Sequence, residues 1–273
     1  MEIGAFLGQI DWAVKNGLFK SLDEALKDSS KHGITCVDVS SKHLNTYTPE
    51  KLKSELDKHN MYVSSVYFLE RIEFRTEQGM KKAVALLREC IDNIEKVGAK
   101  RIMVVPQLPE GFNKEENNNF KEAIRELLNE ALRYTSGKDI AVTLENFSDT
   151  EYPYSTITDI EYWLKEIPGL KYTYDIGNYP LAGVDEIEAL KAFVQKTVYV
   201  HLKDLKVCSS SNILRRGIYY DSLELGGGFV RIKEALDILK NAGYDGPLIV
   251  EINRTFEIYQ STIKSIEYLR SIM

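Results

Sequence analysis

The chain is poor in residues that staple small or unusual folds. Its three cysteines, Cys36, Cys90 and Cys208, are odd in number and widely spaced, with no CxxC pair among 273 residues. That pattern excludes a disulfide scaffold and a thiolate metal cluster, and it suits a reducing compartment where the thiols are incidental. Seven prolines and 17 glycines are too few for a collagen-like or Pro/Gly-rich disordered chain. No apolar run approaches the roughly 18 residues of a membrane span. The opening MEIGAFLGQI lacks the basic flank and apolar core of a secretion signal, so the expected location is cytoplasmic, without a membrane partner. Positive charge is also in deficit. Thirty-five Lys and Arg against 41 Asp and Glu leave a formal charge of −6, which argues against nucleic acid as a partner.

What the chain does have is apolar material, 44% of its residues, arranged with a rhythm. A chain this long can bury roughly 70–75% of its extended surface. A single domain over residues 1–273 is therefore the expectation. Apolar, β-branched runs at about 2–7, 34–39, 61–67, 101–105, 140–145, 171–175, 197–202 and 247–252 read as strands. Amphipathic stretches at about 22–31, 49–59, 79–97, 116–135, 155–166, 185–193, 229–242 and 257–272 read as helices. In the third of these, Met80, Ala83, Val84, Leu87, Cys90, Ile91, Ile94 and Val97 recur at helical spacing. Gly33, Gly98, Gly137, Gly169 and Gly243 each stand between a helix and the next strand, where a left-handed cap is needed. Strands joined through helices pair in parallel, and eight such units close into a (β/α)8 TIM barrel. The connection from strand seven to helix seven, about 203–228, is longer than the rest, as a lid or binding element would be.

In such a barrel the chemistry gathers at the C-terminal ends of the strands. Strand five ends in Glu145 (AVTLEN), strand six in Asp175 (YTYDIGN), strand seven carries His201 (VYVHLKD) and strand eight ends in Glu251 (LIVEIN). Singly, the glutamates read as solvated or capping carboxylates, the aspartate as an Asx turn and the histidine as a satisfied core residue. Together they place three carboxylates in one low-dielectric mouth, where they repel one another unless a cation neutralises them. A divalent ion held by three carboxylates and one imidazole resolves the conflict. Oxygen-rich ligation suits Mn²⁺, Mg²⁺ or Co²⁺ better than a structural zinc site, with Zn²⁺ left open.

The series LEN at Glu145, YDIGN at Asp175, HLKD at His201 and VEIN at Glu251, with ELGGGFVRIKEAL and NAGYDGPL, resembles the xylose-isomerase-like barrel superfamily. The match is nearest to sugar epimerases of the D-tagatose 3-epimerase type and to inosose dehydratases, and it covers essentially the whole chain. The resemblance implies one divalent ion, Mn²⁺ first, on Glu145, Asp175, His201 and Glu251. It also implies that Glu145 and Glu251 are the catalytic acid and base, and that Glu151 touches the sugar near its carbonyl end. The activity implied is epimerisation or isomerisation of a ketose or related sugar through proton abstraction next to a carbonyl and an enediolate intermediate. Dehydration of an inosose or other polyol ketone begins with the same abstraction and is the alternative. A sugar-phosphate isomerase and a non-catalytic sugar-binding barrel stand further off. Homo-oligomerisation stays open.

Two positions depart from the epimerase pattern. Asn178 stands where a histidine is common, and Val207 where an arginine is common; Arg215 or Arg216 in the long seventh connection could replace the latter in space. Only His32, His43 and His59 remain to supply further imidazoles, which argues against the multinuclear endonucleases of the same superfamily. The Lys203–Asp204 pair could orient His201 or line the pocket. Phe6, Trp12 and Tyr67 lie at or beyond early strand ends, where aromatic faces stack on sugars. Gly226, Gly227 and Gly228 precede a helix and could offer N–H groups to a phosphate. Asp221 and Glu224 oppose that reading, and a non-phosphorylated substrate is expected.

Overall fold

The computed structural model describes residues 1–253 and 256–273. Its strands are β1 (Ile3–Phe6), β2 (Cys36–Ser40), β3 (Tyr62–Phe68), β4 (Arg101–Val104), β5 (Ala141–Glu145), β6 (Lys171–Asp175) and β7 (Thr197–Leu202). Then follow β8 (Asp204–Cys208), β9 (Ile213–Arg215), β10 (Ile218–Leu223) and β11 (Leu248–Val250). Among the described residues, eight parallel strands close into a barrel in the order β1-β11-β7-β6-β5-β4-β3-β2. The helices are α1 (Leu7–Lys15), α2 (Leu22–Lys31), α3 (Ser41–Thr46), α4 (Pro49–Asp57), α5 (Glu77–Val97) and α6 (Asn117–Tyr134). They continue as α7 (Ile157–Glu166), α8 (Asn178–Ala182), α9 (Glu186–Phe193), α10 (Ile232–Asn241) and α11 (Ile258–Ile272). The fold is the single (β/α)8 TIM barrel that the strand and helix rhythm predicts.

The packing follows from the two periodicities. On α5 the apolar stripe Ala83, Leu87, Cys90, Ile91, Ile94 and Val97 is buried. Its end is fixed by Gly98, at φ +76°, whose N–H returns to the Ile94 and Glu95 carbonyls. On β2 the side chains alternate, so that Val37 and Val39 join the main core while Cys36 packs with Tyr199 and Ile249 in a smaller cluster. Asp38 lies on the same face of β2 as Cys36 and is fully buried.

Three helices, α1, α3 and α8, lie outside the stretches that periodicity predicts. On α1 the buried side carries Gln9 and Asp11 beside Leu7, Ile10 and Ala13, and these polar residues interrupt the apolar stripe. Trp12 therefore sits on a helix and not at a strand end. The long seventh connection is also ordered, as a three-stranded antiparallel sheet β8-β10-β9. No helix among the described residues is long and apolar enough to cross a membrane.

Candidate functional site

Register brings the four predicted ligands together. Asp175 on β6 and His201 on β7 are direct partners in the parallel ladder. Glu145 ends β5 beside β6, and Glu251 follows Val250, which pairs with Leu202 on β7. A register shift between Tyr172 and Thr173 adds one residue to β7, and beyond it Tyr199 and His201 both turn inward and are fully buried. Glu145, Asp175, His201 and Glu251 each offer one ligand atom, and these atoms all lie within 4.8 Å of one another. Two ligands on opposite sides of an ion sit at about twice 2.0–2.3 Å, so this spacing is that of a coordination sphere.

The imidazole is held at both nitrogens. His201 Nδ1 lies 2.5 Å from Glu145 Oε1 and 3.9 Å from Glu251 Oε2, while Nε2 lies 3.0 Å from Asp38 Oδ2. Burial opposes the imidazolium, but Glu145 and Asp38 outweigh it and hold His201 well above its ordinary pKa. Asp175 is the extreme carboxylate. Burial drives it up to about 7 against the pull of the Lys203 ammonium. Its Oδ1 accepts the N–H groups of Gly177 and Asn178, yet its buried Oδ2 receives no hydrogen bond. The nearest cation to Oδ2 is Lys203 Nζ, at 3.1 Å. One ammonium shared among Asp175, Glu251 and Asn178 leaves this buried oxygen short of donors beside further carboxylates, a setting that suits a metal ion. The donor set therefore fits a divalent cation.

Lys203 is 3% exposed, and its ammonium also stands 3.1 Å from Glu251 Oε1 and donates to Asn178 Oδ1 at 3.0 Å. Burial would lower its pKa, but Asp175 and Glu251 raise it above the usual lysine range, so it stays charged. In return, Lys203 and His201 overcome the effect of burial on Glu251 and hold that carboxyl below its ordinary value. Asn178 is fixed from its other end, where Nδ2 donates to the Asn146 carbonyl at 2.9 Å.

A cavity of about 390 Å³ opens above these groups, lined in part by Phe6, Tyr67, Glu145, Asn178, Lys203, Arg215 and Glu251. Sequence reasoning did not single out Met103, Phe147, Ser148, Ile213 and Asn253, which share the lining because loops from several strands converge there. Glu151, Trp12 and Arg216 do not line it. Glu151 is exposed near Lys114, Trp12 packs from α1 against the core, and the guanidinium of Arg216 lies over Gly183 at the end of α8. Val207 is 61% exposed. The other histidines serve elsewhere: His43 caps α3 with Ser40, His59 pairs with Asp23, and His32 lies near Asp28 and Glu267.

The three-glycine turn has its own anion. Gly226 and Gly228 donate to Asp204 Oδ2 at 2.9 Å, and Val230 donates to Asp204 Oδ1 at 3.1 Å. Asp204 is fully buried, and a Cβ at Gly228 would lie 2.2 Å from its Oδ1. The backbone donors that a phosphate would need are consumed within the chain. Asp38, like the five lining residues above, was passed over by sequence reasoning. A lone aspartate inside the otherwise uncharged ITCVDV was the available signal, because an unpaired charge is seldom buried there.

The profile of the family described as "Xylose isomerase-like TIM barrel" matches residues 26–272. The chain belongs to that family. No curated protein matches it significantly. Among solved structures, a D-tagatose 3-epimerase-like protein superposes with TM-score 0.78 at 18% identity, covering 100% of this chain and 97% of the other. The IolI protein, solved with a binding zinc atom, gives TM-score 0.73 at 20% identity, covering 100% and 96%. The probable 3-DHS dehydratase AsbF of Bacillus anthracis gives 0.74 at 13%, covering 99% of each chain. At these identities the likeness is one of fold.

Proposed function

We propose that this chain is a divalent-metal-dependent epimerase or isomerase acting on a non-phosphorylated ketose or related polyol ketone. The observation that carries this reading is the convergence of Glu145, Asp175, His201 and Glu251 within 4.8 Å beneath a cavity. A divalent ion on these residues, Mn²⁺ first with Mg²⁺, Co²⁺ or Zn²⁺ as alternatives, supplies a Lewis acid that acidifies the C–H between a carbonyl and a neighbouring hydroxyl.

The remaining work falls to the chain's own side chains. Glu145 and Glu251 come from β5 and from the end of β11, with β6 and β7 between them in the barrel order. They therefore approach from different sides, as inversion requires: one takes a proton from one face of the carbon and the other returns a proton to the opposite face. Glu251, held ionised by Lys203, is ready to accept a proton. The Lys203 ammonium, steadied by Asn178, donates to a substrate oxygen and stabilises charge in the enediolate. Phe6 and Tyr67, edge to face with ring centroids 5.5 Å apart, form an apolar wall for the sugar's C–H face, and Arg215 binds hydroxyls at the rim.

A second reading, loss of a β-hydroxyl from an inosose or similar ketone, draws on the same Lys203. A buried ammonium beside the base can protonate a departing hydroxyl. One experiment separates the two. The Mn²⁺-loaded protein is incubated in D₂O with D-tagatose, D-fructose, D-psicose and an inosose, and products are followed by NMR and mass spectrometry. Epimerisation puts solvent deuterium at C3 of a ketose and keeps every oxygen. Dehydration removes the mass of one water. Turnover of a ketose without deuterium entry contradicts the two-glutamate scheme, and inertness across the panel contradicts the proposed substrate class.

A further inference from the structure

Below the four ligands a second set of buried groups continues into the barrel. Asp38 Oδ2 lies 3.0 Å from His201 Nε2, and Asp38 Oδ1 accepts from Ser64 Oγ at 2.9 Å. The same Oδ1 accepts a short hydrogen bond from the Tyr199 hydroxyl, which also meets Ser64 Oγ at 2.5 Å. Asp38, Tyr199 and His201 are fully buried, and Ser64 is 1% exposed. At the far end the Arg101 guanidinium lies 5.1 Å from the centre of the Tyr199 ring, and it donates to the Ser64 carbonyl at 3.4 Å.

The backbone builds this set on purpose-made irregularities. In the β2–β3 ladder Val37 pairs with Val63 and Asp38 with Ser65, so Ser64 is an extra residue. The bulge sets both Ser64 and Ser65 beside Asp38, and the Ser64 hydroxyl reaches its carboxylate. The matching irregularity in β7 brings Tyr199 and His201 inward together. Bulges on β3 and β7 thus flank one carboxylate.

We infer that Asp38 is the positioning residue for His201, fixing its ring so that Nδ1 is the nitrogen presented to the metal. The inference rests on the reading of His201 as a ligand. The physical argument is one of proton placement. An imidazole binds a cation only through an unprotonated nitrogen, and a carboxylate at Nε2 holds the remaining proton there. Nδ1 is the nitrogen that faces Glu145 and Glu251. Asp38 can do this because its own rotation is blocked. Tyr199 and Ser64 occupy Oδ1, which leaves Oδ2 for His201, and the cation above the Tyr199 ring packs that ring in place. Asp38 does not line the cavity, and its carboxylate meets His201, Ser64 and Tyr199.

The test uses Zn²⁺, which is diamagnetic, on the full-length protein. The chain has four histidines, so ¹⁵N-histidine spectra are assignable with a His201→Ala control. In the wild type, Zn²⁺ should shift Nδ1 of His201 and leave Nε2 protonated. Asp38→Ala should weaken Zn²⁺ binding roughly tenfold to a hundredfold in a chelator competition. Asp38→Asn, which keeps the shape and a neutral acceptor, should recover part of that loss. Tyr199→Phe, which frees Asp38 without removing it, should fall between wild type and Asp38→Ala. Zn²⁺ on Nε2 in the wild type overturns the proposal without any variant, as does wild-type affinity with an unchanged His201 spectrum in folded Asp38→Ala. Zn²⁺ bound with both His201 nitrogens unmoved instead overturns the ligand assignment on which the proposal rests.

Discussion

The Lys203 ammonium stands 3.1 Å from Glu251 Oε1, both groups largely out of water, so each fixes the charge of the other. Glu251 is held below the ordinary carboxylate range, and Lys203 above the ordinary lysine range. In the proposed mechanism, the pair keeps the base ionised beside a proton donor. Lys203→Met removes the cation with little loss of volume. The acidic limb of the kcat/KM profile should then move to higher pH, because a Glu251 freed of Lys203 holds its proton more tightly. The loss of kcat/KM should be about a hundredfold or more. A limb that stays in place separates Lys203 from the base and contradicts the pairing.

The buried carboxylate on β6 makes stability without metal depend on pH. Asp175 is raised to about 7 in the folded chain, against an ordinary value of 3.8. Between those values the folded state keeps a proton that the unfolded chain has released, so stability falls as pH rises. His201, also raised, acts in the same direction: its contribution is full below its ordinary value of 6.5 and is lost as pH rises through the folded value. Glu251 acts oppositely, but below its ordinary value of 4.5. A bound ion replaces the protons and removes the penalty. The gap in Tm between metal-loaded and chelated protein should therefore widen from about pH 5 to about pH 8. Asp175→Asn should flatten the pH dependence of the chelated protein, and a constant gap in the wild type contradicts the assignment.

Asp204 closes the glycine turn against phosphate. Four backbone N–H groups, those of Leu205, Gly226, Gly228 and Val230, converge on this one buried carboxylate. Asp204→Ala leaves those donors without an acceptor, and should cost roughly 1–3 kcal/mol in urea unfolding. Millimolar inorganic phosphate should not raise the Tm of the wild type. Ketose phosphates should have kcat/KM no higher than the free sugars. A tenfold preference for the phosphate, equal to about 1.4 kcal/mol of transition-state binding, contradicts this.

The barrel was legible because its helices and strands carry unmixed periods. The stripe on α5 and the β-branched strands each point to one partner surface, and the helix at 22–31 has its predicted bounds. The four candidate ligands were legible for another reason: a carboxylate or imidazole ending an apolar strand is conspicuous, and parallel register turns strand ends into neighbours. Where polar residues are buried by partners remote in sequence, the signal fails. Gln9 on α1 donates to Thr262 and accepts from the Ile252 N–H, both more than 240 residues away, so its helix looks irregular in isolation. Asp38 is matched by Ser64, Tyr199 and His201, the last two brought to it only by barrel closure and the bulge in β7. Glu151, six residues beyond Glu145, shows the converse: nearness in sequence does not carry a side chain into a cavity when the loop turns it to solvent.

The central claim is one divalent ion on Glu145, Asp175, His201 and Glu251. It is tested most directly by metal content after stripping with a chelator, reloading with Mn²⁺ and removing free ion. The wild type should retain about one ion per chain, the coordination number of a single cluster being filled by these four side chains and small ligands. The folded His201→Ala/Glu251→Ala double variant should retain almost none. Wild-type stoichiometry in that double variant would place the metal elsewhere and contradict the site.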